Sequence, residues 1–364
     1  MQKYVFKSPS RYVQGKGVIE ELGKEMESIS NTSLLISDEV VWGIVKDDIE
    51  GSFSDTESQY HYEEFSGESS NTEIERLIDV GKENEVEAVI GLGGGKTLDT
   101  AKAVSDGIGV PVVIVPTTAS TDAPTSALSV IYSDDGVFEG YKFYDKNPDL
   151  VLVDTGIIVN APPILFASGI ADAMATLTEV KAAMKRNADT MAGGKTTFTG
   201  RAIAEMSEKV LFEHGVAAYK AVQQKLVTPA VDAVVEANTL LSGLGFENGG
   251  LAGAHAIHNG FTAVDGDIHD LSHGQKVAYG TLVQLVLERK SEKEIMKYVD
   301  FFKSVDMPTT LEEMHLDGKS FEDLVEIGKV ATAEGETMEN LDPEITPEQV
   351  AYAILAVNEY STKN

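Results

Sequence analysis

Four of the seven histidines in this 364-residue sequence lie in one short segment, HAIHNGFTAVDGDIHDLSH. They are His255, His258, His269 and His273. Histidine is the commonest metal ligand, and because the chain has no cysteine, a site here would use only nitrogen and oxygen donors. His269 and His273 are four residues apart, which is the spacing of neighbours on one helix face. A single histidine is more often an ordinary polar residue, so both interpretations stay open at this point.

A metal site would also need a carboxylate, and the segment GIADAMAT supplies one in Asp172. This aspartate lies among small and apolar residues, where a carboxylate is costly unless it is paired or binds a metal. The alternative is that Asp172 caps a helix that begins near Ala173. The spacing alone favours the capping role.

A second segment predicts a binding site for an anion. A strand-like run at 88–90 precedes a turn that contains Gly91, Gly93, Gly94 and Gly95, and a helical pattern follows at 96–104. This arrangement leaves backbone N–H groups and the positive end of the helix dipole free to bind phosphate. The segment is not a P-loop, which needs glycine where Ile90 stands, and it does not match GxGxxG. It indicates a phosphate-bearing ligand, either a dinucleotide or a sugar phosphate.

The elements that must position these residues follow a strand–helix rhythm in the first part of the chain. Strand-like runs occupy residues 33–37, 59–65, 88–90, 110–115 and 150–153. The run at 110–115 is apolar on both faces, as a buried parallel strand is, and the polar loop PTTASTDAP follows it. The rhythm predicts an α/β, Rossmann-like domain with a mainly parallel sheet and ligands beyond the carboxyl ends of its strands.

The pattern changes after Pro162 and Pro163, because the rest of the chain is helical with almost no strand-like run. A chain of this length is expected to form two domains. We therefore expect an α/β domain at residues 1–161, which would bind the dinucleotide, and an all-α domain at residues 162–364.

The composition excludes several classes of partner. A formal net charge of −30 argues against nucleic acid and anionic membrane surfaces. An acidic surface is the simplest explanation of that charge, and salt adaptation is the alternative. The absence of cysteine excludes disulfides and thiolate chemistry, and it suits a cytoplasmic protein. No apolar run approaches the ~20 residues of a membrane span, and the first residues lack the apolar core of a signal peptide.

Taken together, these segments resemble the glycerol dehydrogenases, the zinc-dependent branch of the iron-containing alcohol dehydrogenase superfamily. The resemblance rests on PSRYVQGKGVIEELG, GLGGGKTLDTAKAV, PTTASTDAPTSALSVIY, KNPDLVLVDT, GIADAMAT, GGLAGAHAIHNGF and SHGQKVAYGTLVQLVL, which occur in this order. It implies the dehydroquinate synthase-like fold of that superfamily, in which the helical domain carries the metal and the catalytic groups.

The resemblance implies one zinc ion per subunit, held by Asp172, His255 and His273. Iron-using relatives have a further histidine one helical turn after the aspartate, where this sequence has Thr176. Three protein ligands and one open position are typical of catalytic zinc. His258 and His269 receive no ligand role; one of them could relay a proton, but a supporting or surface position is the favoured interpretation.

The resemblance also implies which residues bind the cofactor and the substrate. The positions that match the NAD-binding residues of the family are Asp38, Gly94, Gly95, Lys96, Asp99, Thr117, Ser120, Ser126, Leu128 and Tyr132. Asp122, in the STDAP segment, matches the glycerol-binding aspartate. Asp38 follows the strand 33–37, where its carboxylate can accept hydrogen bonds from ribose hydroxyls and repel a 2′-phosphate, so NAD is favoured over NADP.

We therefore expect the reversible, NAD-dependent oxidation of glycerol to dihydroxyacetone, with Asp122, Asp172, His255 and His273 as catalytic residues. The expected partners are a small polyol and further copies of the chain, in a homo-oligomer for which the family suggests an octamer. The alternatives are a related alcohol dehydrogenase with another diol or with iron, and an NAD- and metal-binding protein without turnover. Dehydroquinate-synthase-like and glycerol-1-phosphate enzymes are disfavoured because the sequence lacks a cationic phosphate pocket.

Overall fold

The computed structural model describes residues 2–362. Its strands are β1 (Tyr12–Gly15), β2 (Thr32–Ser37), β3 (Gln59–Glu64), β4 (Ala88–Gly93), β5 (Val112–Pro116), β6 (Leu128–Tyr132), β7 (Phe138–Phe143) and β8 (Leu150–Asp154). The helices among them are α1 (Leu22–Met26), α2 (Glu39–Phe53), α3 (Asn71–Glu83), α4 (Gly95–Ile108) and α5 (Thr155–Ile158). Six strands form one parallel sheet in the order β1-β8-β5-β4-β2-β3, and β6 and β7 form a separate antiparallel pair.

Successive side chains of a strand point to opposite sides of the sheet. Because the central strands are apolar at successive positions, both faces of the sheet are apolar there. Leu34 and Ile36 pack into the core shared with α3 and α4, whereas Leu35 packs into the core shared with α1 and α2. The same alternation holds in the central strand β5, where Val113 and Ile114 belong to different cores. Helices therefore cover both faces, and the carboxyl edge of the sheet is left for ligands.

The direction in which strands are added reverses beside β2. Strand β3 pairs with one side of β2, whereas β4 pairs with its other side and is followed there by β5 and β8. Open α/β sheets bind ligands in the crevice that forms at such a reversal, beyond the carboxyl ends of the strands. Asp38 follows the end of β2 and Gly94 follows the end of β4, so both lie at the two sides of this crevice.

The second part of the chain is helical. Its helices are α6 (Pro163–Arg186), α7 (Phe198–Val222), α8 (Pro229–Glu236), α9 (Ser242–Gly249), α10 (Gly253–Gly260), α11 (His273–Leu287), α12 (Glu292–Ser304), α13 (Phe321–Ala331) and α14 (Pro347–Thr362). Helix α6 is central and packs against α7, α9 and α11. Between residues 163 and 362 the chain has no β-strand, so the predicted fold class, an α/β domain followed by a helical domain, is confirmed.

Two features were not predicted from the sequence. Strand β1 has only four residues, and it forms an edge of the sheet through its pairing with β8. The hairpin of β6 and β7 was also missed, because the aromatic side chains of β7 are largely exposed and follow no two-residue alternation. None of the helices within residues 2–362 combines the length and apolar character needed to cross a membrane.

Helix α6 approaches its neighbours closely at glycines. A Cβ atom at Gly169 would lie 1.8 Å from the carbonyl oxygen of Ala119, in the loop after β5. A Cβ atom at Gly274, in the first turn of α11, would lie 1.9 Å from the carbonyl oxygen of Ser168. These contacts bring the loop, α6 and α11 together around Asp172, which lies one helical turn after Ser168.

We predict that Gly169→Ala destabilises the protein, because the added methyl group must push the loop away from α6. Overpacking of this kind typically costs about 1–3 kcal/mol. The measurement is the midpoint of urea unfolding. Gly43→Ala is the matched control, since Gly43 is also inside a helix but a Cβ atom there meets nothing within 4 Å.

The control should stabilise the protein by about 0.5–1 kcal/mol, because alanine is the better helix former. An unchanged or raised midpoint for Gly169→Ala would contradict the close packing of α6 against the loop.

Candidate active site

Three side chains from three helices converge at one point. Asp172 lies in the first half of α6, His255 lies in α10, and His273 is the first residue of α11. The distance from Asp172 Oδ1 to Nε2 of His273 is 3.0 Å, and that to Nε2 of His255 is 3.4 Å. The ligand atoms of all three residues lie within 4.8 Å of one another. The structure thus brings together the three residues that the resemblance assigned to the metal.

The interior position of Asp172 excludes the alternative that it caps a helix. Helix α6 begins at Pro163, more than two turns before Asp172, and the side chain of Asp172 is 1% exposed. Burial would raise the pKa of this carboxyl, but the neighbouring His273 and His255 outweigh burial and hold the pKa below its usual range. Asp172 is therefore a buried carboxylate whose charge is balanced by the two histidines.

The donor set fits a tetrahedral metal ion. Ligands that are about 2.1 Å from a tetrahedral zinc ion are separated from one another by ~3.4 Å. The separations of 3.0 and 3.4 Å at Asp172 agree with this value. Two imidazole nitrogens and one carboxylate oxygen also form a common ligand set of catalytic zinc, which keeps its fourth position open.

Glu179 is a functional residue that the sequence reasoning missed. It is fully buried two helical turns after Asp172, and its Oε2 lies 2.7 Å from Nδ1 of His255. Its Oε1 accepts hydrogen bonds from the backbone N–H groups of Ala252 and His255, at the start of α10. Metal-binding histidines usually donate their other N–H to such a carboxylate, which fixes the ring. The available signal was the seven-residue spacing to Asp172 on an otherwise apolar helix face.

The charge of Glu179 also affects the histidine. Burial would lower the pKa of His255, but Glu179 and Asp172 on its two sides raise it well above its usual value. A metal ion that binds to Nε2 must therefore displace a proton, which makes metal binding dependent on pH.

Thr176 connects the metal site to the predicted substrate residue. Its hydroxyl lies 2.8 Å from Oγ of Ser242, and Ser242 in turn donates a hydrogen bond of 2.9 Å to Oδ2 of Asp122. The methyl group of Thr176 packs against Gly245, where a Cβ atom would be 2.6 Å away. At the position where iron-using relatives have a histidine, this chain therefore has a small hydroxyl residue that helps to hold Asp122.

Asp122 lies directly beside the metal-ligand set. Its backbone N–H donates to Oδ2 of Asp172 over 3.3 Å. Burial, together with the charge of Asp172, raises the pKa of the Asp122 carboxyl well above its ordinary value. This places a second carboxyl group within reach of any small molecule that contacts the metal ligands.

The glycines of this turn differ in why a glycine is needed. A Cβ atom at Gly91 would lie 2.5 Å from Cβ of Ala101, and one at Gly93 would lie 2.7 Å from Oγ1 of Thr97, so these two glycines are required by packing. A Cβ atom at Gly94 would meet nothing within 4 Å. Neither packing nor a positive φ explains this glycine, since its φ is −86°. The open space over Gly94, at the uncapped N-terminus of α4, fits a bound anion.

A cavity of about 310 Å³ connects the glycine turn to the metal ligands, and we call it the central cavity. Six of the predicted cofactor residues line it together with Asp122, His255 and His273; those six are Gly95, Lys96, Asp99, Ser126, Leu128 and Tyr132. Its apolar walls come from Phe143 and Tyr141 of the hairpin and from Phe246 and Leu251 of the helical part. The cavity thus spans both parts of the chain.

Two of these residues have partners within the protein. Lys96 forms an ion pair of 2.6 Å with Glu68 and lies over the ring of Tyr132. The carboxylate of Asp99 contacts the ammonium group of Lys102 at 3.2 Å and accepts a hydrogen bond from the N–H of Val130. Asp99 therefore holds the wall of the cavity together.

A second cavity of about 480 Å³ lies on the other side of the loop after β5, and we call it the side cavity. Thr117 lines it, together with Val41 and Ile44 of α2. Asp38 lies just before α2, which it caps by accepting a hydrogen bond of 2.9 Å from the N–H of Val41. Ser120 contacts Thr118, which also lines the side cavity. The predicted cofactor residues therefore follow a path from Asp38, past the glycine turn, to the central cavity.

The other two histidines of the segment 255–273 have different environments. His269 lies in a short turn before α11, so it does not share a helix with His273, and its Nε2 contacts the carbonyl oxygen of Val264. His258 is half-buried in α10, and its Nε2 lies 3.1 Å from Nδ1 of His273. Burial and the adjacent His273 lower the pKa of His258 well below its usual value. His258 thus contacts one of the three converging side chains, whereas His269 lies against a backbone carbonyl.

Comparison with known proteins agrees with this geometry. Residues 9–155 match the family model of the iron-containing alcohol dehydrogenases. The chain is 45% identical to a glycerol dehydrogenase of Escherichia coli O6:H1, over 99% of this chain and 98% of that protein. It is also 45% identical to a glycolaldehyde reductase of Halobacterium salinarum, over 98% of this chain and 97% of that protein.

A solved structure shows the same fold over the whole chain. The crystal structure of glycerol dehydrogenase from Schizosaccharomyces pombe superposes with a TM-score of 0.95 at 40% identity, and it covers 100% of this chain and 92% of that one. Full-length identities of this size, together with the metal-ligand set, leave no doubt about the relationship. The chain belongs to the iron-containing alcohol dehydrogenase family, as its motifs predicted.

Proposed function

We propose that this protein is an NAD-dependent glycerol dehydrogenase. In the reaction, the secondary carbon of glycerol gives a hydride to NAD⁺ and its hydroxyl loses a proton, so the products are dihydroxyacetone, NADH and H⁺. The observation that carries the proposal is the convergence of Asp172, His255, His273 and Asp122 at one end of a cavity whose other end is the glycine turn. Relatives named glycerol dehydrogenase match the chain over its full length.

The path of predicted cofactor residues supports an extended dinucleotide. The side cavity, with its apolar wall from α2, suits the adenine ring, and Asp38 beside it suits the ribose hydroxyls. The open N-terminus of α4 at Gly94 and Gly95, with Lys96, suits the pyrophosphate. Ser126, Leu128 and Tyr132, which line the central cavity, would hold the nicotinamide ring.

We assign one zinc ion per subunit to Asp172, His255 and His273. When bound, a divalent metal supplies Lewis-acid polarisation of the substrate hydroxyl. Asp122, oriented by Ser242, accepts a hydrogen bond from a neighbouring hydroxyl, which favours polyols over simple alcohols. The apolar side chains of Phe143 and Phe246 line the cavity and lower the polarity of its wall.

Three further expectations from the sequence belong to this proposal. The division into domains at residues 1–161 and 162–364 places the boundary one residue before α6 begins. The homo-oligomeric state rests on the resemblance to the family. The cytoplasmic location rests on the absence of cysteine.

A second candidate function is the reduction of glycolaldehyde. It is favoured by the relative of that name, whose identity to this chain equals that of the glycerol dehydrogenase. Glycolaldehyde also carries a hydroxyl group beside the reacting carbon, so Asp122 can recognise it in the same way. The two functions differ in the number of hydroxymethyl groups that the cavity must hold.

We predict NAD reduction with glycerol that is lost after chelation and restored by Zn²⁺. The measurement is the absorbance of reduced nicotinamide, with parallel assays of dihydroxyacetone and glycolaldehyde reduction by NADH. A higher kcat/KM for dihydroxyacetone supports glycerol dehydrogenase, and a higher value for glycolaldehyde supports the second function. Restoration by Fe²⁺ and not by Zn²⁺ would overturn the metal assignment, and bound NAD with no turnover would overturn the enzyme itself.

We predict that Asp38→Asn relaxes the selectivity for NAD. Asparagine can still cap α2, but it no longer places a negative charge beside the 2′ position, where like-charge contacts cost several kcal/mol. The ratio of kcat/KM for NAD over NADP should fall by about 10-fold or more. Glu39→Gln removes a charge one residue further on and should leave the ratio unchanged; equal ratios in both variants would exclude Asp38 from cofactor recognition.

We predict that Asp122→Asn weakens the use of glycerol more than that of propan-2-ol, which has no neighbouring hydroxyl. A hydrogen bond contributes about 0.5–3 kcal/mol, with the larger values for a charged partner, which corresponds to roughly 2–100-fold in kcat/KM. The zinc content of the variant is measured alongside, because Asp122 lies next to Asp172. An equal loss for both alcohols at full zinc content would show that Asp122 does not recognise the second hydroxyl.

A further inference from the structure

The segment HAIHNG contains two residues, His258 and Asn259, that the proposed function leaves without a role. Both lie in α10 with the metal ligand His255. Nε2 of His258 is 3.1 Å from Nδ1 of His273, and the two rings are 4.4 Å apart between their centres. His258 is therefore in contact with the nitrogen of His273 that faces away from the metal-ligand set.

A chain of hydrogen bonds continues on the other side of His258. Its Nδ1 lies 3.1 Å from Oδ1 of Asn259, and Nδ2 of Asn259 lies 3.3 and 3.4 Å from the two carboxylate oxygens of Glu336. The segment after Glu336 is fixed to the start of α10, because Thr337 and Asn340 donate to the carbonyl oxygens of Ala252 and Leu251. Glu336 is thus held at a defined position beside Asn259.

The carboxylate of Glu336 determines which atom donates in each of these hydrogen bonds. A carboxylate only accepts hydrogen bonds, so the amide nitrogen of Asn259 must face Glu336 and its oxygen must face His258. Since that oxygen also only accepts, Nδ1 of His258 must carry the proton. Within residues 2–362 no carboxylate contacts the other nitrogen of His258, so in the neutral ring Nε2 is an acceptor.

The protonation of His258 at Nδ1 determines the tautomer of His273. Nδ1 of His273 must donate to His258, which leaves the lone pair of the neutral ring on Nε2. Nε2 is the atom that lies 3.0 Å from Asp172 Oδ1, within the metal-ligand set. The chain from Glu336 thus selects the tautomer of His273 that can bind a metal ion.

We propose that His258, Asn259 and Glu336 are positioning residues that hold His273 in its metal-binding tautomer and orientation. The proposal rests on the metal site described above, but not on the identity of the substrate. His255 is held directly by the buried carboxylate of Glu179. For His273 a neutral imidazole and a neutral amide transmit the effect, so His273 needs no buried carboxylate of its own besides Asp172, and the charge lies on the half-buried Glu336.

The test is the affinity for Zn²⁺, measured by competition with a chromophoric chelator in the absence of NAD and alcohol. His258→Leu removes the acceptor for Nδ1 of His273 and should weaken zinc binding by about 10–100-fold, the usual effect of losing such a partner. His258→Gln can offer Oε1 to the same N–H and should restore the affinity to within a few-fold of the original protein. His269→Leu is the matched control, because His269 lies in the same segment without contact to a metal ligand, and it should bind zinc normally.

A second variant keeps the proposal testable if His258→Leu does not fold. Asn259→Leu leaves His258 in place but removes the acceptor that fixes its proton, so zinc binding should again weaken while the unfolding midpoint changes little. Zinc binding as tight as in the original protein, in either folded leucine variant, would overturn the inference. A His258→Gln variant that is folded and as weak as His258→Leu would also overturn it.

These outcomes are distinct from failure of the metal site itself. An original protein that binds no zinc would overturn both the proposed site and this inference, because there would be no ligand for the chain to hold. An original protein that binds zinc but gives no reaction with any alcohol would overturn only the enzymatic function, and the affinities of the variants would still decide the inference.

Discussion

The buried negative charge of Asp172 is the constraint on which the helical part of the structure depends. A carboxylate that is 1% exposed must be balanced locally, and the only basic groups in contact with it within residues 2–362 are His255 and His273. These histidines come from α10 and α11, so both helices must pack against α6. The close contacts at Gly169 and Gly274 allow that approach, because any larger side chain would separate the backbones. The three candidate metal ligands therefore lie where α6, α10 and α11 pack against one another.

A second buried charge organises the other side of the central cavity. Lys102, in α4, is 2% exposed, and its ammonium group donates to the carbonyl oxygens of Ala123 and Leu128 and contacts Asp99. One lysine thereby connects the helix that starts at the glycine turn with the loop that carries Asp122 and with β6. The net charge of the chain is −30, so carboxylates greatly outnumber cations. The buried ammonium group of Lys102 balances the charge of the neighbouring Asp99. This contact holds the end of the central cavity at the glycine turn and the end at Asp122 in one geometry.

The carboxylates around the site have separate tasks because their surroundings differ. Asp172 faces two imidazoles, and its pKa is held low; Asp122 faces Asp172 and a hydroxyl, and its pKa is raised. Glu179 caps the start of α10 and holds His255 at the same time. This order, with Asp122 beside Asp172 and Glu179 behind His255, agrees with the Lewis-acid chemistry that we propose.

The sequence by itself determined the strand–helix rhythm, the change to helices after Pro163 and the glycine turn, because periodicity and turn residues are local properties of the chain. Through the motifs it also indicated the metal ligands Asp172, His255 and His273, which the structure brings together. Only the tertiary structure decided that Asp172 lies inside α6 and not at its cap, since the start of that helix depends on what the segment packs against. The same is true of Glu179 and of the hydrogen bonds from His258 to Glu336: the bonded partners are up to 77 positions apart, and no spacing along the sequence records such a contact.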